Sequence, residues 1–123
     1  MARATTDPQI TIVPNPNRVV IRVDGAIIAD STRALVMRAP GTPDQHYIPR
    51  EHVDMTRLSR TTHRTHCPYK GDASYWTIRG DACVIENGVW SYEDPLEEMA
   101  LIKGYLAFYQ DRVDRVEEGP PTE

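Results

Sequence analysis

The sequence predicts a mainly β fold: a small curled antiparallel sheet, barrel- or tent-like with two packed sheets, and one or two short helices. Three observations predict it. Short runs of β-branched and aromatic residues recur along the chain. The pairs Asp24-Gly25 and Asn87-Gly88 separate such runs, and both central residues of a type I′ hairpin turn need φ > 0. Helical signals are few and short. A sheet of this kind hides its edges by curling or by packing on a second sheet.

Residues 1–9 read as a disordered tail. Ile10-Thr11-Ile12-Val13 reads as the first strand, stopped by Pro14. Arg18 to Val23 and Ala26 to Ala29 form a hairpin about Asp24-Gly25. Arg33 to Arg38 is the next strand, and Pro40-Gly41-Thr42-Pro43-Asp44 a loop. His46-Tyr47-Ile48 is a short strand ended by Pro49. Proline cannot donate to a ladder, so this strand is expected at an edge or an end. Arg50 to Val53 fits one helical turn, with Pro49 at its first position. Asp54 to Arg64 is polar and reads as an irregular lead into the Cys67-Pro68-Tyr69-Lys70-Gly71 turn. Ser74 to Arg79 alternates as a strand. Ala82 to Glu86 and Val89 to Tyr92 read as two strands joined by a turn at Asn87-Gly88. Asp94, Pro95 and Glu97 suggest a capped helix start. The stretch from Lys103 to Tyr109 suits a helix or a strand, and its aromatic content favours the strand. Residues 10–116 are therefore expected as a single β domain, and 117–123 as a second disordered tail.

Composition excludes several classes. The chain has 123 residues, enough for one core without disulfides or a metal staple. Net charge is −4, which disfavours a partner held through many phosphates. No nucleic acid is expected. Arg57, Arg60, Arg64 and Lys70 do form a locally basic stretch, sufficient for one small anion. No apolar run reaches the roughly 18–20 residues that span a bilayer, so no membrane partner is expected. No secretory pattern opens the chain, and two cysteines are too few for a disulfide framework. A reducing cytoplasm is the expected setting.

Chemistry concentrates between Cys67 and Trp76. A thiolate at Cys67 would be favoured by Lys70 and by protonated His63 or His66, and could act as nucleophile or redox centre. Equally, Cys67 suits a small apolar packing position. Lys70 precedes Gly71, where backbone can approach a ligand, so it suits a phosphate or carboxylate. It could instead pair with Asp72. Cys67 and Lys70 are the candidate catalytic residues. His63, His66 and Cys67 lack the paired ligand spacing of structural zinc, and no metal is expected. Alternation places Tyr75 and Trp76 on opposite faces and Trp90 with Tyr92 on one face. One aromatic face would be core and the other could wall a pocket. The candidate ligand-binding set is Tyr47, Arg50, Lys70, Tyr75, Trp90 and Tyr92. Asp44, Glu51, Asp54 and Asp72 are carboxylates that spacing cannot pair for acid–base work. The Arg112-Val113-Asp114-Arg115 stretch reads as a solvated end. No Walker, dinucleotide or nucleophile-elbow motif occurs.

Several blocks occur in an order that resembles a known family. They are Tyr47-Ile48-Pro49-Arg50, Cys67-Pro68-Tyr69-Lys70-Gly71, Ala73-Ser74-Tyr75-Trp76, Trp90-Ser91-Tyr92 before Pro95, and Ala107-Phe108-Tyr109. Their order and spacing resemble the Domain of Unknown Function 427 family over roughly Arg18 to Val116. The resemblance implies a small, mainly β, cytoplasmic single domain, sometimes labelled nucleotidyltransferase-like. Two departures stand out: His46-Tyr47 replaces the paired aromatics of many relatives, and Arg38-Ala39-Pro40 stands where many carry a glutamate.

The functional expectation is a pocket for a small anionic or aromatic ligand near the Cys-Pro-Tyr-Lys-Gly turn. Whether it is an enzyme stays open, its cofactors are unknown, and a homo-oligomer is compatible with the sequence. A non-catalytic domain docking a protein through an edge strand is the alternative. A nucleotidyltransferase-like enzyme is a third reading, implied by the resemblance alone.

Overall fold

The computed structural model describes residues 10–41 and 43–120. The expected N-terminal tail, and residues 121–123 of the C-terminal one, lie outside the described residues. The strands are β1 (Thr11–Asn15), β2 (Arg18–Val23), β3 (Ala26–Ser31), β4 (Ala34–Arg38), β5 (Gln45–Ile48), β6 (Leu58–Cys67), β7 (Gly71–Arg79), β8 (Val84–Ser91), β9 (Leu106–Phe108) and β10 (Arg115–Gly119). They form two antiparallel sheets, neither closed into a barrel. The large sheet has the order β1-β4-β5-β9-β8-β7-β6, and the small one β10-β2-β3. Among the described residues, helix is confined to short 3₁₀ segments at Arg50–His52, Met55–Arg57 and Glu97–Ile102.

Asp24 and Gly25 take φ of 55° and 80°, as the β2–β3 hairpin requires. Val19, Ile21 and Val23 alternate inward along β2 and are fully buried or nearly so. They meet Ile48, Trp76, Ile78, Val89, Leu106 and Phe108 of the large sheet in one core. Each such aliphatic side chain contributes about 1.5–3 kcal/mol on burial. Strand alternation sends the neighbours of these residues to the other face. Met37, Tyr47, Ala73, Tyr75, Tyr92 and Ala107 pack there with Met99 and Ile102 of the last 3₁₀ segment. The large sheet is thus dry on one face and lined with phenols on the other.

Several expectations fail for identifiable reasons. Strand β1 continues through Pro14, because it is the edge of its sheet and proline needs no partner on the open side. Strand β5 is internal, between β4 and β9; Pro49 lies just past its end and removes no ladder bond. Pro49 also caps the following 3₁₀ turn rather than opening it. The irregular lead expected from Asp54 to Arg64 is instead regular from Leu58 on: Leu58 to Cys67 form a ten-residue edge strand. Its arginines and histidines read as loop in sequence, but charge on an edge strand also blocks pairing with other chains. Asn87-Gly88 is not a hairpin turn: β8 runs through it. Asn87 has φ of 53°, and the register against β7 slips there, from Trp76↔Val89 to Ile78↔Ile85. The pair is spent on a bulge. Asp94 and Glu97 form no capping box. The segment starts at Leu96 without a side-chain cap, and the Leu96 N–H donates instead to the Lys70 carbonyl at 2.9 Å. Finally, Glu117 to Gly119 belong to β10 rather than to a tail, paired with Arg18 to Val20. Glu117 pairs with Arg22 at 3.1 Å, so its charge has a partner in the sheet. No described helix is long and apolar enough to cross a membrane.

Candidate functional site: a phenol-lined cleft

The turn Pro68-Tyr69-Lys70 joins β6 to β7 at the open face of the large sheet. The Lys70 N–H donates to the Cys67 carbonyl at 3.2 Å, and the Lys70 carbonyl accepts from Leu96. Gly71 has φ of 115°, and a Cβ there would stand 3.3 Å from Pro95 Cα. Glycine thus meets both a backbone and a packing requirement, set by the Asp94-Pro95-Leu96 backbone that lies against the turn. Lys70 is half-buried.

Around it, the strands deliver rings to one place. Tyr47 comes from β5, Tyr75 from β7 and Trp90 from β8; Tyr92 and Tyr109 follow β8 and β9. With Tyr69 and Lys70 they line a cleft of about 790 Å³, whose other wall includes Met37, Pro43 and Asp111. Trp90 Nε1 donates to the Tyr47 hydroxyl at 3.3 Å, with the rings nearly perpendicular at 89°. Trp90 also meets Tyr109 at 4.6 Å between centroids. The Tyr75 hydroxyl shares a hydrogen bond of 2.9 Å with Thr65 Oγ1.

Tyr47, Tyr92 and Tyr109 stay protonated. Burial pushes Tyr47 up to about 12, against the Trp90 hydrogen bond, which lowers it. Burial raises Tyr92 as well, reinforced by the neighbouring phenol of Tyr47. Tyr109 rises to about 12, first through burial and then through its hydrogen bond with Tyr75. At these three positions the cleft therefore offers neutral hydroxyls and ring faces rather than phenolate charge.

Among the described residues, no carboxylate lies within ion-pair distance of Lys70; its ammonium stands 3.8 Å from Cys67 Sγ. Asp72, the expected partner, pairs with His66 at 2.7 Å across the β6–β7 ladder. By contrast Arg18, Arg22, Arg33, Arg38, Arg50, Arg57 and Arg60 each have a carboxylate within reach.

Of the residues expected to form the site, Tyr47, Lys70, Tyr75, Trp90 and Tyr92 share the cleft. Arg50 does not. It lies 5.3 Å over the Trp76 ring and reaches Glu93 at 3.2 Å. Arg60 reaches the same carboxylate at 2.8 Å and also covers Trp76. Trp76 belongs to the core between the sheets, so Arg50 serves a latch on that side. Cys67 packs against the phenol cluster but is not among the residues lining the cleft. Tyr69, Tyr109 and Asp111 line the cleft without belonging to the set the sequence predicts. For Tyr109 a signal existed, in the aromatic run ending at Phe108-Tyr109. Among the described residues no three of His, Cys, Asp and Glu converge to hold a metal ion.

No curated protein matches the chain. A family model described as Domain of unknown function, and carrying the short name NTP_transf_9, matches residues 11–119. That span takes in both sheets and every residue of the cleft's aromatic wall. The chain belongs to the Domain of Unknown Function 427 family.

Proposed function

We propose that the chain binds a small ligand with a planar ring and an acidic group, seated in the phenol-lined cleft. One observation carries the reading: six aromatic side chains and an ammonium without a carboxylate partner among the described residues line a single hollow of about 790 Å³. That volume suits a small molecule. Trp90, Tyr109 and Tyr75 offer ring faces, the neutral hydroxyls offer orientation, and Lys70 offers charge. A half-buried cation beside ring faces favours a carboxylate or phosphate on a flat compound over an aliphatic one. The family's short name suggests nucleotide transfer and is compatible with a flat anionic ligand, but the reading rests on the cleft.

Calorimetric titration with 2-naphthoate, 2-naphthamide and cyclohexanecarboxylate tests it. The aromatic acid should bind best, and Lys70→Met should weaken it about tenfold while leaving the amide unchanged. Equal binding of acid and amide, or equal binding in Lys70→Met, would refute the role of the ammonium.

A further inference from the structure

A second hollow adjoins the cleft and shares Tyr75 and Tyr109 as walls. It measures about 620 Å³, and His63, Val84, Ile85, Glu86, Asn87 and Arg112 complete it. Its origin lies in the ladders on both sides of β7. Strand β8 bulges at Asn87, where the pairing jumps from Trp76↔Val89 to Ile78↔Ile85. Strand β6 bulges at the same level, from Arg60↔Trp76 to Arg64↔Ser74. The extra residues meet: Thr61 Oγ1 donates to Asn87 Oδ1 at 2.6 Å and accepts from the His63 N–H at 3.2 Å. Paired bulges cost ladder bonds, and they re-aim side chains at the places where sheets carry sites.

Here they lay the His63 ring edge-on to Tyr75, with centroids 4.5 Å apart. The Arg112 guanidinium lies 4.7 Å over the Tyr109 ring and donates to the Glu86 carbonyl at 3.3 Å. Among the described residues no carboxylate forms an ion pair with it. Stacked and tethered at one nitrogen, its remaining donors are pre-organised in a fork that suits an acid. Among the described residues, the one carboxylate lining this hollow is that of Glu86, an exposed residue.

We infer that this hollow is a second acid-binding subsite, so that the ligand is an elongated aromatic compound with an acidic group at each end. One end meets Lys70, the rings lie along Tyr109 and Tyr75, and the other end meets Arg112 and His63. This rests on the cleft being the site proposed above.

Titration with paired probes tests it. The diacids are naphthalene-2,6-, biphenyl-4,4′- and stilbene-4,4′-dicarboxylate, each beside its monoacid, with 6-(aminomethyl)-2-naphthoate as a cationic end. At least one diacid should bind about tenfold tighter than its monoacid. Arg112→Met should erase that difference and leave the monoacid unchanged, and Arg112→Lys should restore part of it. Lys70→Met should weaken both. A diacid advantage that survives Arg112→Met, or no advantage at any length, overturns the second subsite while monoacid binding keeps the cleft. Preference for the aminomethyl compound, lost in Glu86→Gln, overturns it by giving the hollow to a cation. Failure of every acid to bind overturns both readings.

Discussion

Tyr47 links the chemistry of the cleft to the stability of the chain. Its hydroxyl accepts from Trp90 Nε1, and its ring is almost wholly buried. Replacing it by Phe removes the acceptor and leaves the indole N–H of a half-buried ring unpartnered, a loss of about 1 kcal/mol. The pH dependence has a definite sign. Burial raises Tyr47 from 10.0 to about 12, so the folded chain keeps a proton that the unfolded chain releases. Below pH 10 the contribution is fully present; between pH 10 and about 12 stability falls as pH rises. Tyr109 acts in the same direction. Denaturant unfolding at a series of alkaline pH values should show that decline, and Tyr47→Phe should flatten it. An unchanged slope would mean that Tyr47 ionises alike in both states. Much of this wall was readable from alternation, which put Trp90 and Tyr92 on one face. Arg50 lies outside this wall, and alternation does not show it, because its position depends on Glu93 and Trp76, partners far away in sequence.

At the level of elements, the bulge in β8 makes the sharpest prediction. A Cβ on Gly88 would stand 2.7 Å from Ile85 Cγ2 and 3.2 Å from Ile78 Cδ1. Gly88→Ala should therefore cost about 1–3 kcal/mol through overpacking, read as a lower urea midpoint. Stability equal to the parent would show that the bulge gives way easily. The sheets are also joined at their edges. Asn15 of β1 donates to Glu118 of β10 at 2.8 Å, and Asn17 donates to the same oxygen at 3.0 Å. These bonds hold the Glu118 carboxyl below its usual range. Their stabilisation is present above the ordinary carboxylate pKa of 4.5 and is lost as pH falls through the lowered value. Asn15→Ala should cost about 1 kcal/mol at pH 7 and less in acid, by urea unfolding at both pH values. A cost that is the same in acid would detach the asparagine from the carboxylate. The two elements differ in legibility for a physical reason. Asn-Gly marks a positive φ, which β8 does contain, but a positive φ serves a bulge as well as a turn. Glutamates near a terminus look like a solvated tail until Arg22, Asn15 and Asn17 are seen to meet them.

Across the whole molecule, two sheets share one apolar core, and only the large sheet carries rings on its second face. Strand-forming runs and the Asp24-Gly25 turn made the mainly β class legible. The order of strands was not, because pairs such as β5 with β9 join residues about sixty positions apart. Strand β6 is illegible in sequence because an exposed edge needs no apolar alternation. A chain ending at Asp114 would lose β10 and open the long side of β2, so its melting temperature should fall. An unchanged melting temperature would make β10 dispensable. The central claim, that ligand enters on the phenol face, has a direct readout in the two indole N–H signals of a proton–nitrogen correlation spectrum. Addition of 2-naphthoate should shift the Trp90 signal, whose proton faces the Tyr47 hydroxyl, and leave that of Trp76, buried between the sheets, in place. A stationary Trp90 signal at saturating acid, or movement of Trp76 alone, would contradict the account.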